Sequence, residues 1–102
     1  MLKEQILDAG LIEIAKVKVE GLELYVRQLS YGQRLELEKV VIASKGDGND
    51  LRQQAILHCT CDENGDPVFS KEDLPQLMAL RHTLVDAIFV EIDKINGLTA
   101  KN

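Results

Sequence analysis

Val17-Lys18-Val19-Glu20-Gly21-Leu22-Glu23-Leu24-Tyr25-Val26-Arg27, followed at once by Gln28-Leu29-Ser30-Tyr31-Gly32-Gln33, is where the chain changes its hydrophobic period. Before Ser30 the apolar residues alternate. Val17 and Val19 share one face of a strand, and Leu22, Leu24 and Val26 share one face of a second. Glu20-Gly21 between them marks a hairpin turn. Tyr25 and Arg27 project from the opposite face, where the ring lies over the pleat and the guanidinium reaches water. After Ser30 the period lengthens. Ser30 and Gln33 have the spacing of a capping box, in which hydroxyl and amide satisfy the first free backbone donors of a helix. That helix is expected to run through Leu35, Leu37, Val40, Val41 and Ile42. It should stop near Lys45, because Gly46-Asp47-Gly48-Asn49 is a run of breakers.

On the N-terminal side, residues 1–13 carry apolar side chains at Ile6, Leu7, Leu11 and Ile12, but Gly10 interrupts a short helix. They are expected to form a flexible or weakly ordered arm. On the C-terminal side, Asp50-Leu51-Arg52-Gln53 repeats the capping arrangement and opens a helix through Ala55, Ile56 and Leu57 that frays around His58 to Cys61. Asp62-Glu63-Asn64-Gly65-Asp66-Pro67 reads as a tight turn, since Asn and Gly tolerate positive φ. Ser70-Lys71-Glu72-Asp73 caps another helix, and Pro75 fits only a first turn. One helix is expected from there to Asn96, where Gly97 suits the left-handed residue and Leu98 folds back on the last turn. Residues 99–102 form a loose end. The expectation is one domain over 1–102 of α+β class, mainly α: an N-terminal β-hairpin followed by three to four helices.

Composition narrows the function. The chain has 102 residues, a net charge of −5, 45% apolar and 4% aromatic residues and no Trp. The core must therefore come from Leu, Ile, Val and Ala, which suits packed helices. Excess negative charge repels phosphate backbones and anionic headgroups, which argues against nucleic acid as a partner. No apolar run approaches the roughly 20 residues that span a bilayer, and the first residues lack the basic start and apolar run of a secretory signal. A cytoplasmic protein without membrane contact is expected. Cys59 and Cys61 are too near for a useful bridge, so reduced thiols follow.

Residues that could carry chemistry do not converge. His58-Cys59-Thr60-Cys61-Asp62 offers zinc-ligand types, but two Cys one residue apart make a poor tetrahedral corner, and only the distant His82 could add a ligand. The bland reading is two small half-buried thiols at a helix end. Asp62, Asn64 and Asp66 alternate as calcium ligands do, yet Gly65 comes one place early and no bidentate Glu closes a loop. A solvated turn accounts for them. No nucleophile has a nearby base, so no catalytic, cofactor or metal residues are assigned.

The informative segment is the long helix. At about 100° per residue, Leu77, Leu84, Ile88 and Ile95 form one apolar line, and Leu74, Met78, Val85, Phe89 and Ile92 form a second beside it, with Val90 on yet another side. Two readings fit so broad a face. Either the helix lies centrally under two neighbours, or Leu74, Met78, Val85, Phe89, Val90 and Ile92 make a partner or self-association surface.

The order of these elements resembles a known family. Val19-Glu20-Gly21-Leu22-Glu23-Leu24-Tyr25-Val26-Arg27-Gln28-Leu29-Ser30 with the Gln33-Arg34 helix start resembles the opening of the tail assembly chaperones of long-tailed, lambda-like bacteriophages. Asp62-Glu63-Asn64-Gly65-Asp66-Pro67-Val68-Phe69-Ser70, then Asp73 and Leu77, is similar to their turn into a final helix, and Ile95-Asn96-Gly97-Leu98 to its end. The likeness spans about residues 17–98. It implies a non-catalytic protein that binds the tape measure protein and helps recruit tail tube subunits through a longer, frameshifted form. It also implies absence from the finished virion and a tendency to form homo-oligomers. A small adaptor or a minor structural tail component are the alternatives.

Overall fold

The hairpin forms where the alternation placed it. In the computed structural model, which describes residues 1–43 and 48–98, β1 (Ile14–Val19) pairs antiparallel with β2 (Leu22–Arg27) in the register Val19↔Leu22, Val17↔Leu24, Ala15↔Val26. Glu20 (φ 51°) and Gly21 (φ 82°) both take positive φ. That is the conformation of a two-residue turn whose twist matches that of the strands. Partners in this register share a face, so Ala15, Val17, Val19, Leu24 and Val26 together turn toward the core.

A short third strand, β3 (Thr60–Cys61), adds to β2 through Tyr25↔Cys61 and Val26↔Thr60, giving the order β1-β2-β3. The residues expected to fray from a helix are thus held by a sheet. The Asp62 carboxylate closes the turn that follows by accepting from the Asn64 (2.8 Å) and Asp66 (3.0 Å) amides, and Val68 N–H donates to the Thr60 carbonyl. Gly65, at φ 88°, brings this turn against the outer face of β1: a Cβ there would lie 2.9 Å from Ile14 Cδ1. Arg27 is held in the same place. Its guanidinium donates to the Gly65 carbonyl (3.2 Å) and to Gln33 Oε1 (3.4 Å), so it is tied into the fold where the alternation alone sends it to water.

Five helices accompany the sheet among the described residues. α1 (Leu2–Ala9) occupies the arm expected to be weakly ordered, and Gly10 ends it rather than interrupting it. α2 (Tyr31–Ala43) starts on the expected box, with the Gln33 amide donating to Ser30 Oγ (3.1 Å) and the Ser30 amide to Gln33 Oε1 (3.0 Å). The expected stop at Lys45 and Gly46 lies outside the described residues. α3 (Gly48–Cys59) begins ahead of the Asp50 expected to cap it.

The single long helix expected from Ser70 to Asn96 is instead three pieces. A 3-10 turn over Lys71–Asp73 leads into α4 (Leu74–Met78), and after a break α5 runs from His82 to Asn96. No breaker residue marks the break, since Ala79, Leu80 and Arg81 are all good helix formers. Packing overrides propensity. Arg81 turns extended (ψ 139°) and pairs with Glu20 of the hairpin turn, and Leu77 enters the core, 5% exposed, while Met78 and Leu80 stay outside. α5 ends as expected on left-handed Gly97, whose amide donates to the Asp93 carbonyl (2.7 Å).

The core gathers Val19 and Val26 from the sheet, Ala55, Ile56 and Cys59 from α3, and Ile88, Phe89 and Ile92 from α5. Ile56 and Ile92 are essentially sealed, so truncating either to Ala would cost about 2–5 kcal/mol. The surface ion pairs, Lys16–Glu23 and Arg34–Glu38 among them, join well-exposed side chains and add little.

Candidate partner-binding surface

The break between α4 and α5 resets the helical phase, so the second apolar stripe divides. Phe89 and Ile92 are buried, and Leu74 and Val85 are half-buried against the same cluster. α5 packs on α3 on one side and on β1 and β2 on the other. This cover is why its apolar face is so broad, and it removes Phe89 and Ile92 from any free surface. Met78, 64% exposed, and Val90, 50% exposed, remain outside.

Around Met78 the molecule has a groove of about 320 Å³ between α3, α4 and the start of α5, with Ile56, Leu77, Met78, Leu80 and Val85 in its walls. Charged groups stand on its rim. The Arg52 guanidinium donates to Asp86 Oδ1 (2.8 Å) and lies 5.1 Å over the Phe89 ring, while His82 Nδ1 sits 3.4 Å from Asp86 Oδ2. Gln53 Nε2 lies 3.5 Å from the Met78 sulfur. Apolar walls under a charged rim suit contact with an apolar side of another chain rather than a small polar ligand.

Leu80, 41% exposed, also belongs to this groove. Nothing in the local residue types reveals its exposure, which depends on the break. A further apolar set is Leu2, Ile6 and Leu7 on α1, all more than half exposed, with no residue of that helix buried. Leu2 and Ile6 share a stripe with Ala9 at i, i+4 and i+7 spacing, while Leu7 lies on another side of the helix. On α2, Leu35 and Ile42 are also exposed.

The cysteines are structural. Cys59 and Cys61 are buried and unpaired. Burial, against the nearby Arg27 charge, pushes the Cys59 thiol up to about 12 and raises Cys61 in the same direction. A neutral thiol is neither nucleophile nor metal ligand, and no His, Cys, Asp and Glu cluster of metal-binding form exists among the described residues. Burial first, then the charges of Arg27 and Lys71, lower His58. No helix among the described residues is long and apolar enough to cross a membrane.

Asn96, expected from the sequence only as the end of the long helix, is also the polar joint between the C-terminal end of α5 and the strand exit. Its Oδ1 accepts from the Leu29 amide (2.7 Å), and its Nδ2 donates to the carbonyls of Arg27 (3.1 Å) and Ile92 (3.0 Å).

Comparison with known proteins bears on what such a surface serves. A family model described as phage tail assembly chaperone matches residues 12–96. The solved structure of the bacteriophage HK97 tail assembly chaperone superposes with a TM-score of 0.55, covering 99% of this chain and 100% of that one at 20% identity. At that identity the likeness concerns the fold. No curated protein matches.

Proposed function

The chain belongs to the phage tail assembly chaperone family, and from that membership we propose that it acts by contact, binding the tape measure protein before the tail is built. A longer, frameshifted form would bring tail tube subunits to the complex. The chaperone would work in the cytoplasm of the infected cell and be absent from the finished virion.

The observation that carries this reading is the uncovered apolar groove at Met78, Leu80 and Val85 with its charged rim, together with exposed Val90. These side chains offer contact area to an apolar chain. The net charge of −5 keeps a coated complex soluble. Of the surface expected from the sequence, Met78 and Val90 would touch a partner, Leu74 and Val85 would line the contact, and Phe89 and Ile92 would support it from beneath. The same surface supports self-association into a homo-oligomer.

Co-expression with the matching tape measure protein tests the reading. Soluble yield of that protein should rise several-fold, and mass spectrometry of purified particles should lack this chain. An unchanged yield, or stoichiometric recovery of the chain in virions, refutes the assignment.

A further inference from the structure

The chain holds two Asn-Gly pairs, Asn64-Gly65 and Asn96-Gly97. This dipeptide loses ammonia readily without an enzyme, because glycine has no Cβ to keep its amide nitrogen from the preceding side chain. The glycine nitrogen attacks Cγ of the asparagine. A five-membered succinimide closes, the Cγ–Nδ2 bond breaks and ammonia leaves with the proton from the glycine amide. Water then opens the ring at either carbonyl, giving aspartate or its β-linked isomer, isoaspartate. The rate depends on whether the asparagine side chain is free to turn back onto the next amide.

The fold treats the two pairs differently. Asn96 has both ends of its side chain committed: Oδ1 accepts from the Leu29 amide (2.7 Å), and Nδ2 donates to the carbonyls of Arg27 (3.1 Å) and Ile92 (3.0 Å). The Gly97 amide points back along α5 to the Asp93 carbonyl (2.7 Å). For the ring to close there, the side chain must leave Leu29, Arg27 and Ile92 and the last turn of the helix must open. Asn64 carries no such restraint. It is exposed in the turn after β3, and its side-chain amide makes no hydrogen bond among the described residues. The attacking nitrogen is held only by the bond from the Gly65 amide to the Asp62 carbonyl (3.0 Å), within an exposed turn.

We propose that Asn64 is a site of spontaneous deamidation in the folded protein, and that Asn96 is spared by its own hydrogen bonds. The product matters locally. Conversion sets another carboxylate beside Asp62, Glu63 and Asp66 and, as isoaspartate, adds one carbon to the main chain between residues 64 and 65. That carbon falls inside the loop that the Asp62 carboxylate clamps by accepting from the amides of Asn64 (2.8 Å) and Asp66 (3.0 Å). The Gly65 carbonyl, which receives the Arg27 guanidinium (3.2 Å), moves with it. Isoaspartate at position 64 thus loosens the tie between turn and sheet. At Asn96 the same chemistry would remove the donor to Arg27 and Ile92, so protection there preserves the joint between α5 and the strand exit.

Incubation of the purified protein at pH 8, sampled over days and digested with a protease active in acid, tests this by mass spectrometry. The peptide holding Asn64 should gain the mass difference between an amide and an acid, divided between aspartate and isoaspartate. The peptide holding Asn96 should convert roughly a hundredfold more slowly, since its hydrogen bonds must open together first. In urea, where neither side chain is held, Asn96 should lose that protection. Asn64→Gln should keep the Tm of the parent and abolish the product at that position, and the isoaspartate fraction isolated by ion exchange should melt below the parent. Conversion of Asn96 as fast as Asn64 in the folded protein overturns the proposal. So does an Asn64 that stays intact when folded yet converts in urea, and an isoaspartate fraction with the parent's Tm refutes the loosened turn.

Discussion

Replacing Asn96 by Ala should remove more stability than any other exposed or half-buried polar substitution in this chain. The amide joins three backbone groups: the Leu29 N–H, the Arg27 carbonyl and the Ile92 carbonyl. Ile92 keeps a backbone partner because it lies inside α5, so two groups are orphaned. An unsatisfied buried donor or acceptor costs about 1–3 kcal/mol. The joint is only partly buried, which places each group toward the lower half of that range, and the two together come to about 3 kcal/mol. Alanine's better helix propensity returns a few tenths. For a domain of about 100 residues the net loss lowers Tm by roughly 12 °C. Urea unfolding followed by circular dichroism should show the midpoint fall with the slope unchanged, the mark of a native-state effect. Asn96→Asp should not rescue it, since a carboxylate still accepts from Leu29 but can donate to neither carbonyl. A loss below about 0.5 kcal/mol would mean that water satisfies both groups, and the joint would then not hold the strand exit to α5.

Acidification should destabilise the fold through His58. Its folded pKa lies below the ordinary value near 6.5, so the unfolded chain binds the proton more readily and stability falls as pH drops through that value. His58→Gln should flatten this part of the pH profile measured by urea midpoints, and an unaltered profile would refute the assignment. Both thiols should resist iodoacetamide at pH 8 in the folded protein and react within minutes in urea, because Cys59 sits near 12; fast native labelling of Cys59 would contradict its burial. Gly65→Ala should cost more than Gly21→Ala. Both force Ala to positive φ, a strain of about 1–2 kcal/mol, but only at Gly65 does the new Cβ meet Ile14, at 2.9 Å. Equal losses in urea would mean that the turn yields without disturbing β1.

What the sequence alone determined is local. The hairpin turn at Glu20-Gly21, the Ser30–Gln33 box and the Gly97 cap lie within a few residues of their own signals, and each formed at its expected place. The resemblance in element order likewise led to the family that matches residues 12–96. What only the tertiary structure decided depends on residues far apart. β3 exists because Thr60 and Cys61 meet β2, more than thirty positions away, and two residues carry too little pattern to announce a strand. Arg27 leaves solvent because the Gly65 carbonyl reaches it across the sheet. The break at Ala79–Arg81 contradicts the helix propensity of its own residues. It sets which apolar side chains are core and which are surface, since three non-helical residues shift the phase of everything before them. Periodicity can count a helix face but cannot see what lies against it, so Phe89 and Met78 read alike in the sequence and end on opposite sides of the protein surface.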